Sequence, residues 1–330
     1  MASLKAGKYG SMVHSVSELH DNQYGIPLQH YAQWYLFGAN ALRLHVFHSI
    51  AGVPASCKSP LLFDLLMHNA EPKEDGGLGG FSVLFELEEK ISPDMLQSMM
   101  LQHSPATEEN FMPLNPDTLE DAMEIFSKEI LPGYKANYKD NSVPLMVGFD
   151  SIGGAAMRDT TESIQKEGAI GNGFYDKPHV MKYFCENSKA LFGDIPVVII
   201  AINQEKESTA QSYGPPQKKI TGGASQVFKD GHMICATAKE LASKDGKVVT
   251  LRTTKTSFSD SRKIEVMFRW NKYGTEGPDR LHMHFDWALA AAKHLADPDK
   301  GVGDIRDICD VKVSDKDLVT CPQLDLRSVP

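Results

Sequence analysis

Three small groups of residues in this 330-residue chain have the types and spacing that phosphate chemistry needs. The first is Gly52-Val53-Pro54-Ala55-Ser56-Cys57-Lys58-Ser59, set between two apolar runs and followed by Pro60. Backbone N–H groups at a helix start point at an anion, a lysine there reaches outer phosphates, and the adjoining hydroxyl sits on magnesium. The usual spacing is G-x-x-x-x-G-K-[ST]. Cys57 stands where the second glycine belongs, and a side chain there narrows the loop and asks for a different backbone angle. An ordinary strand-turn-helix that happens to carry Lys-Ser meets the same pattern, and on this segment alone the two readings balance.

The second group is Glu86 and Glu88, just past the apolar run 81–85. Glu88 is placed to take a proton from, or orient, a water attacking a γ-phosphate. The competing reading is a solvated acidic patch, since Glu89 adjoins them. The third is Asp150-Ser151, closing the apolar run 143–149. A carboxylate at that point holds a magnesium-bound water beside the loop serine, although a strand-end Asp also caps helices. Asn203-Gln204 closes the most apolar run, 195–202, where an amide can sense whether a γ-phosphate is present.

The elements that must position these groups follow from periodicity. Runs 44–51, 81–85, 143–149 and 195–202 read as buried strands, and in an open α/β sheet ligands lie outside the carboxyl ends of such strands. Residues 26–40 read as a short helix ending at Gly38; further helices are predicted after Ser59, from Pro93, over 118–130, over 178–191 and over 285–295. Segments 232–238, 248–254 and 263–270 are predicted strands, the last two antiparallel. Residues 71–80 and 103–115 read as connectors. Residues 159–176 turn glycine-rich at Gly168, Gly171 and Gly173. The segment 205–223, with Lys206, Tyr213, Lys218 and Lys219, is too long for a simple connector. His282-Met283-His284 has the donors of a metal pair, but two histidines two apart are more often structural.

Composition narrows the classes. Hydrophobic content of 42% supports a substantial core, and the length suits one large α/β domain with a smaller appendage, or two domains. Five scattered cysteines with no C-x-x-C pair argue against a zinc site or disulfide framework and for a reducing, intracellular setting. No run approaches membrane-spanning length. The net charge of −9 argues weakly against nucleic acid, without excluding a local basic lining.

Taken in order, GVPASCKS at 52–59, LFELEEKISP at 84–93, LMVGFDSIGG at 145–154, IPVVIIAINQ at 195–204 and TGGASQVF at 221–228 resemble the RecA-type homologous recombinases, and among them the bacteriophage UvsX branch. The resemblance covers roughly residues 26 to 270. It implies an N-terminal oligomerisation segment (1–40), a RecA-like P-loop ATPase core with a mostly parallel sheet flanked by helices (41–273), and a small C-terminal region (274–330). The implied activity is DNA-dependent ATP hydrolysis with Mg2+. The implied assembly is a helical homo-oligomeric filament on single-stranded DNA that pairs and exchanges strands with duplex DNA in recombination, repair and replication. Single-strand-binding and loader proteins would be partners, and the setting the cytoplasm of an infected bacterial host.

Residue by residue, the resemblance makes Gly52 to Pro60 the nucleotide loop, with Lys58 on phosphate and Ser59 and Asp150 on the metal. Glu88 becomes the catalytic base and Gln204 the coupler to the DNA loop behind it. Segments 168–179 and 205–223 become the DNA-binding loops, with Lys166, Lys177 and the Gly222-Gly223 pair. Phe228 packs into the next protomer, and Lys255 reaches across the interface to the neighbour's γ-phosphate. Met95 stands where the family often has an adenine-stacking tyrosine, and Thr253 lies near the place of a second trans-acting lysine. Two other readings use the same residues: a ring-forming RecA-core helicase, and a non-hydrolysing DNA-binding paralogue that scaffolds recombination.

Overall fold

The computed structural model describes residues 25–138, 143–167, 176–207, 218–220, 230–242, 244, 246–256, 261–273 and 280–296. The described residues begin with a small ribbon, β1 (Gly25–Pro27) paired with β2 (Ala41–Arg43), around helix α1 (Tyr31–Phe37). Gly38 stops α1 in a left-handed conformation at φ 69°, its N–H bonding back to Trp34 and Tyr35 carbonyls. The apolar runs then become the centre of one large sheet. They are β3 (Phe47–Gly52), β4 (Phe81–Glu86), β6 (Leu145–Asp150) and β7 (Val197–Glu207).

Helix α2 (Lys58–Ala70) follows β3, and α3 (Pro93–Met100), capped by the Ser92 hydroxyl, follows β4. The polar stretch read as a connector holds a single helical turn, α4 (Thr107–Asn110), and a strand, β5 (Phe111–Leu114). Because β5 pairs only with β4, Pro113 sits on an edge where its missing N–H is tolerated. The amphipathic run 118–130 starts as α5 (Leu119–Ile125), widens into a π turn (Phe126–Ile130) and continues as α6 (Leu131–Asn137). Then come α7 (Arg158–Glu167), α8 (Asp176–Phe192), β8 (Lys218–Ile220), β9 (Asp230–Glu240), β10 (Gly246–Thr256), β11 (Lys263–Tyr273), β12 (Arg280–Phe285) and α9 (Trp287–Ala296).

Nine strands lie side by side in the order β12-β11-β10-β9-β3-β7-β6-β4-β5, and β8 folds back antiparallel on the end of β7. From β9 to β5 every pairing is parallel; from β9 to β12 every pairing is antiparallel. The fold is therefore α/β, a mostly parallel mixed sheet flanked by helices. Strand alternation sends Leu84, Met146 and Val198 to one face, packed with Leu62 and Leu66 of α2. Val83, Phe85, Val147 and Phe149 go to the other, packed with Phe126 and with Phe184 of α8. Burying each such side chain stabilises by about 1.5–3 kcal/mol. At Gly148 a Cβ would come within 2.8 Å of Leu66, so glycine there lets α2 lie flat on the sheet and sets the height of its N-terminus.

The sheet does not stop at residue 273: β12 extends it, and α9 brings Trp287 against the first core, where its Nε1 donates to Asp64 on α2 at 2.9 Å. Among the described residues no helix is long and apolar enough to cross a membrane.

Candidate functional site

Strand β3 is buried throughout and ends at Gly52, whose φ of 154° and surroundings admit only glycine: a Cβ would lie 2.3 Å from the Ala236 carbonyl oxygen on β9. The next five residues form a tight loop in which Ala55 (φ 61°) and Cys57 (φ 62°) are both left-handed. Cys57 therefore keeps the backbone angle a glycine would adopt and bears the strain, on the order of 1–2 kcal/mol for a residue with a Cβ. Burial pushes its thiol up to about 11, against the charges of Lys247 and Lys58. Cys57 is the N-cap of α2. Lys58 opens that helix and folds back over the loop, its Nζ donating to the Val53 carbonyl (2.7 Å) and the Ser56 hydroxyl (3.4 Å). From β10, Lys247 donates to the Ala55 carbonyl at 3.1 Å.

Asp150, at the end of β6, accepts a hydrogen bond from the Ser59 hydroxyl. Its second oxygen, Oδ2, is buried without a hydrogen-bond partner. Burial pushes this carboxyl up to about 6; the Ser59 bond and the Lys58 charge pull down, and the Glu88 and Glu86 charges push up. An unsatisfied buried carboxylate oxygen beside a hydroxyl is the donor set that a hard divalent cation takes, so Ser59 and Asp150 fit magnesium.

Glu86 faces Asp150 across β4 and β6. Its Oε1 accepts the backbone N–H of Glu88 (3.1 Å) and of Lys90 (3.0 Å), which ties down the turn after β4. Glu88 Oε1 accepts from the Ser151 hydroxyl and from Gln204 Nε2 (3.1 Å), and Oε2 accepts from Lys90 Nζ. Burial alone would raise the Glu88 carboxyl; the Lys90 and Ser151 hydrogen bonds, the Lys90 charge and the Gln204 amide together hold it below the usual carboxylate range. Gln204 stands opposite Gly52 in the β3–β7 register, so one strand pairing links the loop to the Glu88 amide partner.

Apart from Ser151 and Gln204, these side chains open on one cavity of about 410 Å3. Its polar end is formed by the loop, Lys58, Ser59, Glu86, Glu88, Lys90 and Asp150. Its other end is mostly apolar, with Ile91 and Met95 from the α3 side and Phe268, Trp270 and Met283 from β11 and β12, rimmed by Glu240 and Lys247. A concave site with a few convergent polar groups and an apolar wall is what a nucleotide-sized ligand needs. Lys90, Lys247, Trp270 and Met283 were not among the residues singled out by sequence. Lys90 had a local signal, a cation two places beyond a candidate base; the others are delivered by strand pairings distant in sequence.

The remaining candidates lie elsewhere. Lys255 sits on β10 opposite Met233, eight positions from Lys247 and so roughly 26 Å further along the strand, away from the cavity. Thr253 is buried and donates to the Leu36 carbonyl at 2.7 Å. Lys177 lies in α8, since that helix starts at Asp176, and its Nζ donates to the carbonyls of Ala155 (2.7 Å) and Gly153 (3.2 Å), bracing the turn after Asp150. Strand β7 runs on to Glu207, so the base of segment 205–223 is a hairpin in which Lys206 faces Lys219 and Glu207 faces Lys218. Lys166 lies in α7. Gly168, Gly171, Gly173, Tyr213, Gly222, Gly223 and Phe228 lie outside the described residues.

No protein-family model matches the chain, and no curated protein matches it.

Proposed function

We propose that the chain is a RecA-type recombinase: a DNA-dependent ATPase that assembles on single-stranded DNA and promotes pairing and strand exchange with a duplex. One observation carries the reading. A lysine, a hydroxyl, a buried carboxylate with an unsatisfied oxygen and a second carboxylate held by an amide come from the ends of separate parallel strands. They converge on one cavity whose far end is apolar.

In this reading the loop N–H groups and Lys58 hold the phosphates, and the apolar end takes the base by contact with Met95, Trp270 and Met283. Ser59 and Asp150 would hold magnesium, which when bound supplies charge neutralisation between the outer phosphates. Glu88 accepts the proton of the water whose oxygen attacks the γ-phosphorus, as the bond from that phosphorus to the bridging oxygen breaks and ADP leaves with the oxygen. Gln204 touches Glu88 and lies on the strand that continues to Lys206 and the hairpin with Lys218 and Lys219, so nucleotide state and the DNA-facing loop share one strand. The distance of Lys255 from its own cavity suits action on a neighbouring protomer, which makes nucleotide a bond between subunits.

Phosphate release measured with and without single-stranded DNA tests this directly. DNA-stimulated release that is lost in Lys58→Ala supports the reading. Release without stimulation removes its DNA part, and no release at all removes the ATPase. Filaments, rather than closed rings, are expected by electron microscopy with a non-hydrolysable ATP analogue.

A further inference from the structure

Glu88 is gripped on three sides by fixed parts of the fold and on the fourth by a side chain that can leave. Ser151, in the turn directly after β6, and Gln204, within β7, take Oε1. The body of the carboxyl lies against Gly154. The backbone of the turn is pinned because Glu86 Oε1 holds the N–H groups of both Glu88 and Lys90, with Glu89 between them at φ 52°. The remaining partner, Lys90 Nζ on Oε2, belongs to a side chain 70% exposed, against 9% for Glu88. Glu88 and Lys90 also line a second cavity of about 340 Å3, with Asn115, Asp117 and Gly154, so the pair is the partition between two spaces.

We infer that Lys90 is a latch on Glu88: it occupies the carboxylate oxygen that the attacking water needs, and hydrolysis requires it to swing away. This rests on the ATPase reading above and names a regulator of that site. A charged pair of which one member is mostly solvated is weak, so it can be broken by a better anion. The γ-phosphate in the larger cavity is that anion, and Lys90 already feels Asp150 and Glu86 from its present position. Lys58 Nζ donates to the Val53 carbonyl. Swinging Lys90 into the larger cavity exposes Oε2 and joins the two spaces, opening a path for water. DNA binding, felt through Gln204 on the same carboxylate, then completes the alignment.

The test compares full-length wild type, Lys90→Gln and Lys90→Arg in phosphate release, with and without a poly-dT oligonucleotide, alongside binding of a fluorescent ATP analogue. Lys90→Gln is expected to raise the DNA-free rate by about three- to five-fold, the range a solvent-screened pair permits. Its DNA-saturated rate should not rise with it, so the stimulation ratio shrinks. Lys90→Arg, which keeps the ion pair, should keep the low DNA-free rate. Added salt should raise the DNA-free rate of wild type but not of Lys90→Gln. An unchanged DNA-free rate in Lys90→Gln overturns the latch, and so does an equal fall in both rates, which would make Lys90 a transition-state cation. Those outcomes leave DNA-stimulated release by wild type intact; absence of release by wild type overturns latch and ATPase together.

Discussion

Glu88 rests on Gly154 so closely that a Cβ built on that glycine would lie 2.1 Å from Glu88 Oε1 and 2.2 Å from its carboxyl carbon. The glycine needs no unusual backbone angle; what it provides is room. Gly154→Ala should therefore leave the fold and nucleotide binding intact, because Glu88 can rotate away, yet move the carboxylate off Ser151 and Gln204. Displacing a general base by about 1 Å costs on the order of 100-fold in rate. Turnover falling at least ten-fold with unchanged nucleotide affinity is the expected outcome; turnover at the wild-type rate would show that the position of Glu88 is immaterial.

Cys57 should tolerate glycine and reject β-branching. Its φ of 62° and ψ of 31° are left-handed, where a β-branched residue is a severe outlier. Cys57→Gly exchanges relief of that strain for lost burial and should shift stability by less than about 1 kcal/mol, whereas Cys57→Val should cost about 2 kcal/mol or more. Urea unfolding midpoints give both values. Equal tolerance of the two would mean that the loop relaxes to another conformation.

Asp150 should be a site where function opposes stability. Burial is the largest cause of its carboxyl rising from 3.8 to about 6. A raised folded value means the native state holds its proton more tightly than the unfolded chain, so the contribution is full below about 4 and lost as pH rises through 6. Above that, the ionised group is a liability in metal-free protein. Asp150→Asn should then be more stable than wild type at pH 8 by about 1–3 kcal/mol, converging with it near pH 4. It should also lose the magnesium dependence of nucleotide binding. A variant less stable than wild type at pH 8 would contradict this.

Much of this arrangement is legible in the chain because buried parallel strands are continuous apolar runs ended by polar residues. The chain order of β3, β4, β6 and β7, the placing of Lys58, Ser59, Glu88 and Asp150 at strand ends, and that of Gln204 just past the apolar part of β7, need only local pattern. What local pattern does not carry is register. Lys247 reaches the loop because β10 pairs with β9, with Lys247 opposite Glu240, and Met283 reaches the apolar wall because β12 pairs with β11. Strand β5 hides behind the exposed pair Met112 and Pro113, since an edge strand is not obliged to alternate. The tail of β7 reads as loop because its residues 203–207 are polar, yet pairing with β3 at 203–204 and with β8 at 205–207 keeps them extended. The single-helix reading of 118–130 misses the π turn at Phe126–Ile130, beyond which Pro132 sits at the start of α6, where its missing N–H is tolerated.

Beneath the site, His48 of β3 and His232 of β9 are register partners and stack with ring centroids 5.2 Å apart and Nδ1 atoms 3.2 Å apart, while Phe37 meets both edge-on. Burial, reinforced by the neighbouring ring, pushes His48 down to about 3; burial pushes His232 down to about 4 against a hydrogen bond to the Phe37 backbone carbonyl. Between those values and the ordinary 6.5 the unfolded chain binds more protons than the native state, so the pair's contribution to stability falls as pH falls through that window. In NMR titration of the folded protein, two histidine rings should stay neutral at pH 5.5. Both titrating near 6.5 would refute the buried assignment.

The most direct measurement is ATP turnover by Glu88→Gln beside wild type, in saturating single-stranded DNA and magnesium. Removal of a general base typically costs 100- to 10,000-fold, so the variant should bind nucleotide and assemble on DNA while releasing phosphate at least about 100-fold more slowly. Phosphate release by Glu88→Gln at the wild-type rate would contradict the assignment of this cavity as a hydrolytic centre.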